Sequence, residues 1–188
     1  MIETLKHIDT DLFLYLNGKH NAFWDFVMFW TSEDYTWIPL YIFLLYLVVK
    51  KRSRQAFVVV LSAIILITLS DQLSVHAFKN IFLRYRPCHN LLIQNMVHTY
   101  KGCGGTYGFV SSHAANTFAL ATFMSLLLKD NYKYFVPLIF AWAIFVSYSR
   151  IYLGTHYPAD VIGGALLGTV LGYMISKFYF RLFTMRLE

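Results

Sequence analysis

Five long apolar stretches alternate with short polar segments along the chain. A helix that crosses a bilayer needs about 20 mostly apolar residues, within a range of about 17–25. The five stretches cover residues 35–49, 55–75, 109–128, 132–149 and 157–176. The first is short, but Lys50 and Lys51 at its end can extend their charged groups to the membrane surface. The pattern therefore predicts an all-α membrane protein, a helical bundle of five transmembrane spans.

The first 34 residues predict shorter helices. Apolar residues recur there at helical spacing, namely at Leu5, Ile8, Leu12 and Leu16. Polar residues 17–21 interrupt this pattern, and the apolar run Ala22–Trp30 is too short to cross a membrane. We predict two amphipathic helices that lie at the membrane interface, with a sixth, irregular span as the alternative.

Basic residues set the expected topology, because they are enriched in cytoplasmic loops. With five spans, nine of them fall on one side: Lys50, Lys51, Arg52, Arg54, Lys129, Lys133, Lys177, Arg181 and Arg186. The N-terminus, segment 76–108 and link 150–156 then lie outside. We expect one membrane-embedded domain over residues 1–188, with interfacial helices in 1–34, a transmembrane bundle in 35–177 and a cytoplasmic tail in 178–188.

Composition narrows the class of protein. Hydrophobic residues make up 57% of the chain and charged residues only 14%, whereas a soluble domain is about 25% charged. This composition disfavours an ordinary water-soluble enzyme, and its hydrophobicity is too high for a disordered chain. The net charge of +6 follows mostly from topology. Since the basic residues form no single face interleaved with aromatic residues, we expect no nucleic-acid partner.

Six ionisable residues lie near the outer ends of the apolar stretches. They are Lys79, Arg86, His113, Arg150, His156 and Asp160. Ionisable groups at membrane depth are costly, and they indicate a functional site by default. Six such groups from four helix ends at one level are hard to explain by packing.

Lys79 and Arg86 are seven residues apart, so on a helix they share a face. Pro87 is expected to end that helix, since its ring blocks continuation. Taken alone, the pair is better explained by contact with lipid headgroups at the interface. Arg84 would lie on a different face, and contact with headgroups is the expectation for it.

A glycine-rich segment leads into the third apolar stretch. Gly104, Gly105 and Gly108 precede Ser111 and His113. Free N–H groups at such a helix N-terminus suit a phosphate, to which Ser111 can add a hydroxyl donor. His113 could then exchange a proton with the bound anion. The alternative is a hydroxyl N-cap with an interfacial histidine.

The strongest local signal combines Arg150, His156 and Asp160. At a spacing of four residues, Asp160 can accept a hydrogen bond from His156, which leaves the other ring nitrogen as a nucleophile. Arg150 offers a planar fork of donors for phosphate oxygens. A metal site would need further ligands, so we predict none. The alternative is a helix N-terminal Asp beside an unrelated His.

Small residues continue along the last helix at Gly164, Gly168 and Gly172. This spacing allows close packing between membrane helices, so we assign the stripe a structural role.

These motifs resemble those of the type 2 phosphatidic acid phosphatase (PAP2) superfamily of membrane lipid phosphatases. The first, Lys79-x6-Arg86-Pro87, and the third, Ser149-Arg150-x5-His156-x3-Asp160, match in residue type and spacing. The middle motif is usually Pro-Ser-Gly-His in the family, and here it reads Val110-Ser111-Ser112-His113.

The resemblance implies a mechanism. His156 attacks phosphorus to give a phosphohistidine, and Asp160 orients it. His113 protonates the leaving oxygen and then activates water. The expected phosphate-binding groups are Lys79, Arg86, Ser111, Arg150 and the backbone near Ser112 and His113. Side chains supply the positive charge, so neither a metal nor another cofactor is expected.

A lipid phosphate in a bacterial inner membrane is the substrate that the resemblance implies, with the site on the periplasmic side. Our first expectation is undecaprenyl diphosphate, followed by lipid A phosphate or phosphatidylglycerol phosphate. Two alternatives remain: a non-catalytic lipid-binding or transport protein, and a vanadate-binding haloperoxidase, although the latter chemistry suits a soluble scaffold. The pattern leaves the oligomeric state open.

Cys88 and Cys103 both fall in the outer segment between the first two motifs. In an oxidising periplasm they can form a disulfide, which would hold Arg86 near the glycine-rich approach. The alternative is two unrelated small residues.

Overall fold

Helices account for every long element of the protein over residues 2–184, the part that the computed structural model describes. The main helices are α1 (Ile2–Asn17), α2 (Ala22–Ser32), α3 (Ile38–Arg52), α4 (Ala56–Gln72), α5 (Ser112–Leu128), α6 (Phe135–Tyr152) and α7 (Pro158–Thr184). The only strand-like pairing within this range is an isolated bridge between Tyr85 and Tyr107. The all-α prediction is confirmed.

Each of the five predicted apolar stretches forms a helix, α3 to α7. Between residues 2 and 184, three helical stretches are long and apolar enough to cross a membrane: Asp34–Phe82, which contains α3 and α4, then Phe135–Tyr152 and Pro158–Leu182. The exact number of spans stays a prediction. Helix α7 continues through most of the predicted tail, to Thr184, and residues 185–188 lie outside the described part of the chain.

Helix α5 is the most buried helix of the bundle, and α7 packs directly along it. The glycines of α7 make this approach possible. A Cβ atom at Gly164 would collide with the Ser111 carbonyl, and one at Gly168 would collide with the Ala115 carbonyl. The structural role predicted for this stripe is thus confirmed, and the packing fixes the start of α5 against the start of α7.

Large apolar side chains cover the outside of the bundle. Ile42, Phe57, Leu138 and Leu166 are each more than half exposed. Monomeric soluble proteins rarely expose such extended apolar surface, so this surface fits contact with lipid tails.

Helix α4 ends differently from the prediction. It continues as a π-helical segment, Leu73–Lys79, and stops at Phe82, because Leu83 adopts a left-handed conformation with φ of 47°. Pro87 therefore does not end the helix, and Arg86 lies outside it. The chain from 84 to 86 is extended and pairs with the glycine-rich segment, since Arg86 N–H donates to the Thr106 carbonyl at 3.0 Å.

The two predicted N-terminal helices are present, and a buried asparagine docks them on the bundle. The Asn17 side-chain amide donates to the carbonyls of Ile151 and Tyr152 at 3.2 and 2.7 Å, and its oxygen accepts from His98 N–H at 2.8 Å. These contacts hold α1 and α2 over the end of α6 that carries Arg150.

Candidate active site

A tight link between α6 and α7 brings Arg150 and His156 together. Gly154 in this link has a φ of 75°, a conformation that L side chains rarely adopt. The N–H groups of Thr155 and His156 both donate to the Arg150 carbonyl, at 3.0 and 3.2 Å. The turn thus sets the histidine beside the last turn of α6.

His156 and Asp160 form the buried floor of the site, with exposures of 2% and 0%. Asp160 Oδ2 lies 3.5 Å from His156 Nδ1 and accepts from Tyr157 N–H at 3.0 Å. Gly108 lies against both side chains, and a Cβ there would meet Asp160 Oδ2 at 3.0 Å. This glycine therefore permits the backbone of the glycine-rich segment to approach the floor.

The charge state of His156 follows from its surroundings. Burial, together with the cations Arg86, Arg150 and Lys79, holds the pKa of His156 well below its ordinary value. The imidazole is therefore neutral near pH 7, and its unprotonated nitrogen keeps a free lone pair.

The second motif begins helix α5 next to this floor. Ser111 is the N-cap and is fully buried, and its N–H donates to the Asp160 carbonyl at 2.9 Å. His113 follows in the first turn, with Nε2 3.1 Å from the Ser32 carbonyl. Ser111 thus contacts the start of α7, and His113 contacts the end of α2.

Lys79 and Arg86 reach the site from separate segments. Lys79 Nζ donates to Ser112 Oγ at 2.6 Å. Arg86 donates to the carbonyls of Cys103 and Tyr107 at 3.0 and 3.3 Å, so it is attached to the glycine-rich segment. Both cations act electrostatically on His156.

The structure joins Cys88 and Cys103 in a disulfide, with Cα atoms 6.3 Å apart, which is within the usual range for such bonds. The bridge links the residue after Pro87 to the start of the glycine-rich segment. It therefore closes the loop around the carbonyl contact that Arg86 makes with Cys103.

One residue beside the site was missed by the sequence patterns. Arg150 Nη1 donates to Ser32 Oγ, and the carbonyl of the same serine faces His113. Ser32 is buried at the end of α2. Nothing in the spacing of α2 signals this contact, which depends on how α2 folds back over the bundle.

The expectation for Arg84 was wrong. Its guanidinium does not point to headgroups but pairs with Asp160 Oδ1 at 2.7 Å and with Asp9 Oδ2 at 2.6 Å. The reason is the early end of α4: in an extended segment, residues two apart project to the same side, so Arg84 and Arg86 both face the site. Burial alone would lower the pKa of Arg84, but Asp160 and Asp9 raise it overall.

A cavity of about 660 Å³ lies in the bundle beside the start of α5. Ser112, His113 and Asn116 lie on its wall at the start of α5. Farther along, its walls are apolar and come from four helices, with Leu44, Val48, Ile64, Leu120, Met124 and Trp142. A phosphate near His113 would therefore lie next to this apolar cavity.

The sequence model of the PAP2 superfamily matches residues 56–184, which contain all three motifs. The chain belongs to the PAP2 superfamily. Its fold agrees, because the crystal structure of the transmembrane PAP2 type phosphatidylglycerolphosphate phosphatase from Bacillus subtilis matches with a TM-score of 0.73. That match covers 95% of this chain and 87% of the other, at 18% identity.

Several named relatives are similar to this PAP2 protein over most of their length. A lipid A 4'-phosphatase of Bacteroides thetaiotaomicron is 37% identical to this chain, and the match covers 96% of this chain and 79% of the relative. A lipid A 4'-phosphatase of Porphyromonas gingivalis is 34% identical, and that match covers 95% of this chain and 75% of the relative. An undecaprenyl-diphosphatase of Sulfolobus acidocaldarius is 28% identical over 88% and 76%.

This PAP2 protein is therefore an enzyme, a membrane lipid phosphatase of the metal-independent class. Undecaprenyl diphosphate, the substrate expected first, is not the one that the comparisons support best, because the relatives named for lipid A are more similar to this chain than the undecaprenyl-diphosphatase is. The motifs are shared across these substrate classes, so they could not discriminate between them.

Proposed function

We propose that this PAP2 enzyme removes a phosphate monoester from an acylated sugar lipid of the lipid A type. The observation that carries the proposal is that His113 lines the apolar cavity of about 660 Å³. A phosphorylated headgroup at His113 leaves its acyl chains beside the cavity wall, where burial of apolar area is favourable.

In the proposed reaction, Nε2 of His156 attacks phosphorus while the bond from phosphorus to the lipid oxygen breaks. His113 gives its proton to that oxygen, and the dephosphorylated lipid leaves. His113, now unprotonated, removes a proton from water, and the resulting hydroxide attacks the phosphohistidine. Inorganic phosphate is released, and both histidines return to their starting states.

Proton transfer to the lipid oxygen requires His113 in its charged form when the substrate binds. The dianionic phosphate supplies the charge that stabilises an imidazolium at this position, since an opposite charge at short range favours the charged form.

The phosphate oxygens are held by groups that surround the two histidines. We assign this role to Lys79, Arg86, Arg150, Ser111 and the backbone at Ser112 and His113. Phosphoryl transfer depends chiefly on positioning and charge stabilisation, which a preformed set of cations provides.

Polar groups beside the phosphate site favour a sugar headgroup over a prenyl diphosphate. Asp34, Asp71 and Asn116 line the cavity together with His113. The Asn116 Oδ1 atom is buried and accepts no hydrogen bond from the described residues. A sugar next to the phosphate offers hydroxyl and amide donors to these oxygens, whereas a prenyl chain offers none.

Undecaprenyl diphosphate is the second candidate. The long apolar wall of the cavity also fits a prenyl chain, and a relative of that name is 28% identical to this chain. Phosphatidylglycerol phosphate is the third candidate.

Location and topology are part of the proposal. The site residues lie at the end of α4, the start of α5, the end of α6 and the start of α7, whereas the basic segments lie at the opposite ends of these helices. With basic residues inside, the site faces the periplasm of a bacterial inner membrane.

The test is phosphate release by purified enzyme from a panel of lipids in one detergent, with lipid A, undecaprenyl diphosphate, phosphatidylglycerol phosphate and phosphatidic acid. We expect the highest kcat/KM for lipid A. Asn116→Leu should lower kcat/KM for lipid A more than for undecaprenyl diphosphate, because only the sugar loses a partner. Equal or greater kcat/KM for undecaprenyl diphosphate in the wild type would overturn the sugar-lipid assignment. Phosphate release equal to that of the His156→Ala control would contradict lipid phosphatase activity.

A further inference from the structure

Arg84 joins the N-terminal helix to the floor of the active site. Its guanidinium makes two ion pairs, with Asp9 Oδ2 at 2.6 Å and with Asp160 Oδ1 at 2.7 Å. The group also lies 4.1 Å from the centroid of the Tyr157 ring. Contacts on three sides fix the arginine far more tightly than a surface ion pair does.

The two oxygens of Asp160 have separate partners. Oδ1 accepts from Arg84, and Oδ2 accepts from Tyr157 N–H at 3.0 Å and faces His156 Nδ1 at 3.5 Å. A carboxylate held at one oxygen by a charged donor cannot rotate freely about its side-chain bonds. Arg84 thereby keeps Oδ2 directed at the histidine.

Asp9 in turn fixes Arg84 and the start of α7. Its Oδ1 accepts from Ala159 N–H at 2.9 Å, and its Oδ2 accepts from Arg84. An acidic side chain at a helix N-terminus is favourable because it satisfies free N–H groups there. The Asp9 side chain is 12% exposed and that of Asp160 is fully buried. The positive charge of Arg84 therefore offsets the cost of removing these two carboxylates from water.

We propose that Arg84 and Asp9 are positioning residues for phosphoryl transfer: Asp9 holds Arg84, Arg84 holds the Asp160 carboxylate, and Asp160 orients His156. The inference rests on the proposed role of His156. It makes helix α1 a functional part of the catalytic machinery, and it extends the site beyond the three family motifs.

The test is a double-mutant cycle of Arg84→Met and Asp160→Asn, with kcat and KM measured on the lipid phosphate that the wild type hydrolyses best. Because misplacement of a reacting group by about 1 Å can cost about 100-fold in rate, we expect Arg84→Met to lower kcat by about that factor. KM should change much less, since Arg84 is not among the proposed phosphate-binding groups. Arg84→Lys should restore part of kcat.

Non-additivity is the decisive readout, because a merely structural role does not produce it. If Arg84 acts through Asp160, Arg84→Met adds almost no further loss in the Asp160→Asn background. Losses that multiply, a loss confined to KM, or a wild-type kcat in Arg84→Met would each overturn the inference.

Asp9→Asn provides the milder variant if Arg84→Met fails to fold, because its amide oxygen can still accept from Ala159 N–H, and it should lower kcat. An unchanged kcat in Asp9→Asn would contradict the inference. The matched control is Glu3→Gln, which removes the exposed ion pair with Lys6 on the same helix and should leave kcat unchanged. Failure of the wild type to hydrolyse any lipid phosphate would instead count against the proposed function.

Discussion

Gly168 of α7 lies so close to the backbone carbonyl of Ala115 in α5 that a Cβ atom at this position would overlap the oxygen. The contact holds the helix that begins after His156 against the helix that carries His113. Gly168→Val should therefore separate the helices. The free energy of unfolding should fall by about 1–3 kcal/mol or more, since this is the usual range for overpacking.

The measurement is the thermal unfolding midpoint in detergent. Gly105→Ala is the matched control, because a Cβ at Gly105 meets no atom within 4 Å. A Gly168→Val variant as stable as this control would show that the helices pack less closely than we describe.

Stability should fall as the pH drops below about 6.5, the ordinary pKa of histidine. The folded protein keeps His156 neutral, because burial and the neighbouring cations lower its pKa, whereas the unfolded chain binds the proton at the ordinary value. In this pH range the unfolded state holds more protons, so the free energy of unfolding rises with pH by up to about 1.4 kcal/mol per unit.

Melting curves between pH 7 and pH 5 measure this slope. His156→Gln should make it shallower. Identical slopes for wild type and His156→Gln would contradict the neutral, buried state of His156.

The double variant Cys88→Ser, Cys103→Ser should melt at a lower temperature than the wild type. A cross-link that closes a loop of this size stabilises a protein by about 3 kcal/mol in the chain-entropy model. Phosphate release at low temperature should persist, because neither sulfur contacts the catalytic histidines in the proposed mechanism. Non-reducing mass spectrometry provides the direct check, and two free thiols in fresh, unreduced wild type would refute the bridge.

The sequence predicted the helical elements and their order well because long apolar runs have one dominant physical explanation. It also predicted the residues around His156, since three motifs with fixed spacing restrict which helix ends meet. The close packing of the glycine stripe followed from the same logic, as small residues at regular spacing mark close helix contacts, but the spacing did not indicate that α5 is the partner.

Other features depended on backbone geometry that no spacing rule contains. The left-handed Leu83 ends the helix before Pro87, and this single change turns Arg84 toward Asp160. Ser32 and Asp9 reach the site because the N-terminal helices fold back across the bundle. Such contacts between residues far apart in sequence leave no local pattern.

A bulky residue in the apolar cavity should distinguish lipid binding from chemistry. Ala63 lines the cavity, so Ala63→Trp should raise KM for a long-chain lipid phosphate by about tenfold or more, in line with the loss of a few buried methylene contacts. Activity on a short-chain, soluble phosphate should change little.

Ala141→Trp is the matched control, because Ala141 is exposed on α6. Equal KM values for the two tryptophan variants on the long-chain lipid would indicate that the tails bind elsewhere.

The most direct test of the account is whether the phosphoryl group passes through His156. Enzyme mixed with a lipid substrate labelled in its phosphate is quenched within the first turnover and examined for protein-bound label. We predict a phosphohistidine at His156, stable in base and labile in acid, that is absent from His156→Gln. Label retained in His156→Gln, or wild-type turnover by that variant, would contradict the mechanism.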